Sequence, residues 1–330
     1  MTRVLIGPAD AANIYYRTQW NSDAFCVYIE GEKTVLYVAG FEYLRAKKKV
    51  KNTQVKELTD LRKILQEITG EVYVDKDFPY RYTEHITGTV HVKHPYWTAR
   101  VTKNQQEITY IEETQHLAQK AIQCVEDILK QTELRKGIAY YKGEILTSEY
   151  LKLKARTYLI QHEADCPDMI ISSGEQTAYP HDGGSGAIRE GPVIIDIFPQ
   201  GKNRYHGDMT RTILLGKSAK VEQMLKAVQQ AHKECIQRCV PGTSIASLQQ
   251  HAEKVLCEYG FETTKEQGFI HALGHGVGLD IHEEPSVSGR NEETLEEGMV
   301  ITIEPGLYYD VGVRWEDTVV VGKEPRVLGR

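Results

Sequence analysis

Four acidic residues stand among apolar or strand-forming runs in the second half of the chain. Asp196 lies inside VIIDIF, Asp208 in HGDMTRT, Glu304 directly after ITI, and Glu316 just before a β-forming TVVV. A carboxylate in such surroundings is costly to bury unless it is paired or bound to a metal. Between Asp208 and Glu304, the stretch HALGHGVGLDIHEEP carries His271, His275 and His282 within twelve residues, interleaved with Gly274, Gly276 and Gly278. Glycines let a backbone approach a ligand closely or take positive φ, so three histidines among them point to a site. Each acid alone has a plain structural reading: Asp196 and Asp208 could pair with Arg211 or Lys202, and Arg314 could pair with Glu304 or Glu316. Four carboxylates and a histidine converging from separate segments, however, repel unless cations neutralise them. Two divalent cations would balance four carboxylates. Oxygen-rich ligation with one imidazole suits manganese first, with iron, cobalt or zinc as alternatives.

The elements that must carry these residues are legible from periodicity. Residues 24–30 and 34–39 read as a hairpin, 55–69 as a helix stopped by Gly70, and 71–75 as a strand. Together they predict a small α/β domain over the first hundred residues. The tract from Phe78 to Trp97 has no clear period and reads as irregular connection. The basic run Arg45 to Asn52 reads as a solvated face. A long amphipathic helix is expected over 109–132, with apolar Ile111, Leu117, Ala121, Ile122, Val125, Ile128 and Leu129 at helical spacing. A second helix follows over 148–162, capped at Thr147 or Ser148. Strands are expected at 169–172, 193–198 and 206–215, the last antiparallel to its predecessor. Helices over 218–239 and 244–259 are separated by Pro241-Gly242, and strand and loop follow Gly260. Helix, helix, strands, then helix, helix, strands suggests a duplication around one sheet.

The 330 residues suit two domains, expected at 1–107 and 108–330. With 41% hydrophobic and 26% charged residues the composition is that of a globular chain. A net charge of -6 argues against nucleic acid as the main partner. No apolar run reaches the roughly 18–20 residues of a membrane span, and the start MTRVLIGPADAANIYYRT lacks an apolar h-region. Six scattered cysteines without a C-x-x-C pair fit reduced thiols. The expected compartment is the cytosol.

The blocks YHGDMTRT, HALGHGVGLDIHEEP, ITIEPGLYY and GVRWED, in that order, resemble the pita-bread metallopeptidases: methionine aminopeptidase, prolidase and Xaa-Pro aminopeptidase. The resemblance covers residues 110–330, and NIYYRT with its hairpin extends it to the amino-terminal domain of prolidase-type members. It implies a fold of mixed α/β (α+β) class: a pita-bread catalytic domain with a pseudo-duplicated antiparallel sheet and flanking helices, preceded by a smaller α/β domain. Two divalent metals are implied, with Asp208 and Glu316 bridging both, Asp196 completing one, and His275 and Glu304 completing the other. His181, in AYPHDGGSG, together with His271, His282 and Arg314, matches residues lining the substrate pocket. The implied activity is hydrolysis of the Xaa-Pro bond, in dipeptides or at the amino terminus of short peptides with proline second, by a hydroxide shared between the metals. Glu304 would shuttle the proton, His271 would help stabilise the oxyanion, and His282 and Arg314 would orient the substrate. A homodimer is also implied. Phe198 departs from the family's usual Asp-x-Gly, so the pocket wall is expected to differ there. The alternatives are a non-catalytic peptide binder on this fold, a creatinase-like hydrolase and a methionine aminopeptidase, the last disfavoured by the extra domain.

Overall fold

The computed structural model describes residues 2–329. The chain divides into two compact units, Met1–Thr98 and Ala99–Arg330. The first unit carries six strands: β1 (Thr2–Pro8), β2 (Phe25–Glu30), β3 (Thr34–Val38), β4 (Gln54–Glu57), β5 (Glu71–Val74) and β6 (Thr89–Val92). They form one mixed sheet in the order β4-β3-β2-β1-β5-β6. Helices α1 (Ala12–Thr18), α2 (Gly40–Lys49) and α3 (Leu61–Gln66) complete the unit. Alternation along the central strands β1, β2 and β3 buries both faces. Val4 and Ile6 pack with Val27 and Val72, whereas the intervening Leu5 packs with Tyr28 and Leu36.

Two expectations for this unit need correction. Residues 55–69 are not one helix. Val55 belongs to β4, which pairs parallel with β3, and the Leu58 N–H bonds the Val38 carbonyl. The helix starts only at Leu61, where Asp60 caps it by accepting from the Lys63 N–H. The apolar positions 55 and 58 happened to fit the helical spacing, but the open edge of β3 claimed their backbone. The tract 78–97 is also more ordered than expected: Tyr80–His85 form a 3-10 helix, and Thr89–Val92 pair parallel with β5. The basic run behaves as expected, with Lys47, Lys48 and Lys49 exposed on the last turn of α2.

The second unit opens with α4 (Gln105–Leu129). It starts four residues before the expected Thr109, because Asn104 and Glu107 form a capping box. Small strands β7 (Glu133–Arg135), β8 (Ile138–Tyr141) and β9 (Glu144–Ile145) lead to α5 (Ser148–Gln161), capped by Thr147. Strands β10 (Ile170–Ser173), β11 (Gly191–Ile197) and β12 (Met209–Leu215) form an antiparallel sheet. Helices α6 (Ala219–Gln237) and α7 (Ile245–Glu258) follow. Then come β13 (Gly274–Gly276), β14 (Glu283–Val287), β15 (Val300–Ile303), the pair β16 (Gly306–Tyr308) and β17 (Gly312–Arg314), β18 (Asp317–Val320) and β19 (Arg326–Val327). Five of these form a sheet ordered β14-β13-β15-β18-β19.

Each helix pair covers its own sheet. Val125 and Leu151 pack with Ile171 and Ile195, and Val228 and Leu248 pack with Ile301 and Val319. The duplication expected around one sheet instead takes the form of two separate sheets, β10-β11-β12 and β14-β13-β15-β18-β19, side by side. They meet where the Glu316 N–H donates to the Thr210 carbonyl at 3.1 Å and the Arg314 N–H donates to Thr212 Oγ1 at 3.0 Å. Among the described residues, no helix is long and apolar enough to cross a membrane.

Candidate metal centre

Strand ends deliver the acids. Asp196 sits near the end of β11, where its neighbours Ile195 and Ile197 are fully buried and alternation turns Asp196 to the opposite face. Asp208 immediately precedes β12, Glu304 immediately follows β15, and Glu316 immediately precedes β18, while His275 is the middle residue of β13. β13 must lie very close to its neighbours. A Cβ on Gly274 would stand 2.0 Å from the Thr302 carbonyl oxygen, and one on Gly276 would stand 2.3 Å from that of Glu284. The glycines flanking His275 therefore serve close backbone approach.

These residues share one cavity of about 550 Å³. Its wall includes Asp196, Asp208, His275, Glu304 and Glu316, and also His181, His271, His282 and Arg314, so all nine residues singled out in the sequence meet there. Ligand atoms of Asp208, His275 and Glu316 lie within 4.8 Å of one another, close enough to hold one ion. His275 Nε2 is 3.4 Å from Asp208 Oδ2 and 3.5 Å from Glu304 Oε1. Its Nδ1 lies 3.1 Å from the Gly276 carbonyl, which fixes the proton on Nδ1 and leaves the Nε2 lone pair facing the acids. Asp196 is placed differently. Its Oδ2 accepts from Arg314 Nη2 at 2.7 Å, so its ion-pair partner is neither Arg211 nor Lys202, and the arginine's partner is neither Glu304 nor Glu316. Its Oδ1 is buried and has no hydrogen-bond partner.

Four carboxyl groups here face a single guanidinium. Burial, then the charges of Glu316, Asp196 and Glu304, push the Asp208 carboxyl well above its ordinary range. Burial and Glu316 do the same to Glu304. Burial and Asp196 raise Glu316 to about 8, against the opposing pull of Arg314 and the Thr210 hydroxyl. Burial and the neighbouring His282 lower His275 to about 4, which keeps the imidazole neutral. Buried acids that repel one another, a neutral imidazole with a free lone pair and an orphaned carboxylate oxygen form a donor set suited to hard or borderline divalent cations.

Several residues that the sequence reading gave no role hold this arrangement. Gln115, on α4, brackets the main chain of Asp208: it accepts from the Asp208 N–H at 2.7 Å and donates to the Asp208 carbonyl at 2.8 Å. Thr210 lies opposite Asp196 in the β11–β12 ladder and donates to Glu316 Oε2 at 2.7 Å. Tyr308 accepts from Arg314 Nη1 at 2.8 Å and lies 3.1 Å from His271 Nε2. A buried glutamine in the middle of a helix is a weak sequence signal, but it was the available one. His271 is enclosed, with Nδ1 at 2.7 Å from the Ala272 carbonyl and Nε2 on Tyr308, and burial with Arg314 lowers it to about 3. Four of the five N–H donors of Arg314 are engaged by Thr210, Pro180, Tyr308 and Asp196. By contrast, His181 and His282 are exposed at the cavity mouth. Phe198, two residues beyond Asp196 and on the same side of its strand, lines the wall.

Fold and donor set together define a metal-dependent peptidase. The chain belongs to metallopeptidase family M24, whose model matches residues 110–323. It is 32% identical over 310 residues to an Xaa-Pro dipeptidase of Pyrococcus horikoshii, covering 90% of this chain and 84% of that one. Among solved structures, the prolidase from Pyrococcus furiosus matches with a TM-score of 0.87 at 29% identity, covering 100% of this chain and 96% of the other. An X-Pro aminopeptidase from Thermotoga maritima gives a TM-score of 0.82 at 22% identity, a likeness of fold alone, covering 100% of this chain and 95% of that one. The architecture is the pita-bread fold, and the chain is a hydrolase of peptide bonds that depends on divalent metal.

Proposed function

We propose that this chain is an Xaa-Pro dipeptidase, cleaving the bond before proline. The observation that carries the reading is the cavity in which Asp208, His275 and Glu316 can jointly hold an ion among further acids. The names of relatives that align over most of the chain support the substrate class. Asp196, Asp208, His275, Glu304 and Glu316 would hold two divalent cations, with Mn2+ as the first candidate and Co2+, Fe2+ or Zn2+ as substitutes. Such a pair, when bound, supplies Lewis acidity that activates water and polarises the scissile carbonyl. Glu304, one of the acids lining the cavity, would take up a proton from the attacking water and pass it to the leaving prolyl nitrogen. Arg314 has one N–H left for the substrate, so it offers a single directed hydrogen bond rather than a fork. His282 and His181 present their rings at the cavity mouth, where they can orient the substrate backbone or its carboxylate. With its proton on Nδ1 against the Ala272 carbonyl, neutral His271 offers Nε2 as an acceptor to the Tyr308 hydroxyl, so it could donate to a developing oxyanion only after the proton leaves Nδ1 and Nε2 leaves Tyr308. The apolar wall of Ile170, Phe198 and Ile281 suits the side chain before proline. The amino-terminal unit is read as the creatinase/prolidase-like domain. A homodimer of this chain and a cytosolic location, in keeping with six free cysteines, complete the reading.

The test is hydrolysis by Mn2+-loaded protein of an Xaa-Pro dipeptide beside the matching Xaa-Pro-Yaa tripeptide and a Met-Ala-Yaa peptide. Cleavage confined to the dipeptide is the expected result. Preference for the Xaa-Pro tripeptide would make the chain an aminopeptidase, and cleavage of the methionyl peptide alone would overturn proline specificity.

A further inference from the structure

Behind Glu316, on the side away from the cavity, lies a buried ionic cluster with no part in the ligand set. Alternation along HGDMTRT turns Asp208, Thr210 and Thr212 toward the cavity seam and Arg211 to the other face. There Arg211 Nη2 donates to Asp317 Oδ1 at 2.7 Å, and its guanidinium lies 4.6 Å from the centroid of the Trp315 ring. His232, on α6, places Nε2 3.1 Å from Asp317 Oδ2. Asp317 is fully buried and His232 is 4% exposed. The second arm of Arg211 reaches the main chain on both sides of the seam, since Nη1 donates to the Thr210 carbonyl at 2.9 Å and to the Glu316 carbonyl at 2.5 Å. Thr210 in turn accepts the Glu316 N–H through its carbonyl and donates its hydroxyl to the Glu316 carboxylate. One guanidinium thereby locks the two main-chain segments whose relative placement decides where that carboxylate points.

We propose that Arg211, anchored by Asp317 and His232, is a positioning residue that presets Glu316 for the cations. The inference rests on the metal site proposed above. Two physical effects act together. The planar fork holds the Glu316 backbone to Thr210, so the carboxylate does not lose orientational freedom when an ion binds. The same fork, with His232, occupies both oxygens of Asp317, so this adjacent acid does not swing toward the cavity as a competing ligand. A lysine keeps the charge but reaches one acceptor at a time, and it is not conservative at such a site.

The experiment is calorimetric titration of metal-stripped wild type and Arg211→Lys with Mn2+, alongside thermal melts of the metal-free proteins and steady-state kinetics at saturating Mn2+. The expected result for Arg211→Lys is a Mn2+ affinity about 10- to 100-fold weaker. Its metal-free melting curve should remain cooperative, and its KM for an Xaa-Pro dipeptide should stay near the wild-type value. A folded Arg211→Lys that binds Mn2+ as wild type does overturns the inference. Should that variant not fold, Asp317→Asn, which keeps the shape and removes the anchoring charge, must show the same loss of affinity; wild-type affinity there overturns the inference equally. Wild-type protein that takes up no Mn2+, Co2+ or Zn2+ removes the metal site and this inference with it, whereas normal wild-type uptake with unchanged variants removes the positioning role alone.

Discussion

A neutral His275 with a free Nε2, set against acids that resist ionisation, is a local electrostatic problem that a divalent cation solves. The consequence is testable by single substitutions. His275→Ala deletes the one imidazole donor, and Glu304→Gln keeps the shape while removing both a ligand charge and the proposed proton carrier. We expect each to reduce turnover to near background at saturating Mn2+, with His275→Ala also weakening Mn2+ binding. Wild-type rates for either variant in a metal-supplied peptide assay would refute the site. The residue types at these positions were readable in the sequence because an acid in a strand core and a histidine between glycines are locally anomalous. That Asp196 pairs with Arg314 across 118 residues was not among the pairings the sequence suggested, because no local pattern selects a partner that distant.

At the scale of elements, the first helix of the catalytic unit does more than cover a sheet. Gln115 on α4 is fully buried and satisfies both main-chain groups of Asp208. In Gln115→Leu the Asp208 N–H is left buried and unpaired, which costs about 1–3 kcal/mol. The expected outcome is a lower melting temperature together with weaker Mn2+ binding, measured by thermal denaturation and titration. Unchanged stability would mean that the loop before β12 finds another acceptor. Elements whose own periodicity dominates, such as α4, α5, α6 and α7, were legible to within a few residues. Those whose state depends on a neighbour were not. β4 was hidden inside a helical spacing and formed because β3 offered an unpaired edge.

For the whole molecule, the repulsive acids tie stability to pH. The carboxyl of Glu316 has a folded value of about 8 against an ordinary 4.5, and Asp208 and Glu304 are displaced in the same direction. Below the ordinary value both folded and unfolded chains are protonated. As pH rises from there toward about 8, the unfolded chain ionises first and gains, so these acids cost the metal-free fold stability across that window, while His271 and His275, held neutral in the fold, act oppositely only below about 6.5. Bound Mn2+ removes the repulsion and adds binding energy of RT ln(1 + [L]/Kd). Above pH 6.5, the ordinary value of a histidine, His271 and His275 are neutral in the folded and mostly in the unfolded chain, so the melting temperature of metal-stripped protein should fall from there to pH 8, and added Mn2+ should raise it more at pH 8 than at pH 6. A metal-free melting temperature that rises over this range would contradict the electrostatics described here.

Taken alone, the sequence determined which donors are present, in what order, and that they ride on strands, because side-chain chemistry and the two-residue alternation of a strand are local properties. The tertiary structure decided that donor atoms of Asp208, His275 and Glu316 come within reach of a single ion, which acid is held by Arg314, and that Gln115, Thr210, Arg211 and Tyr308 brace the site. Those relations join residues far apart in the chain. They exist only once two separate sheets have packed edge to edge, and packing of that kind leaves no period in the sequence to read.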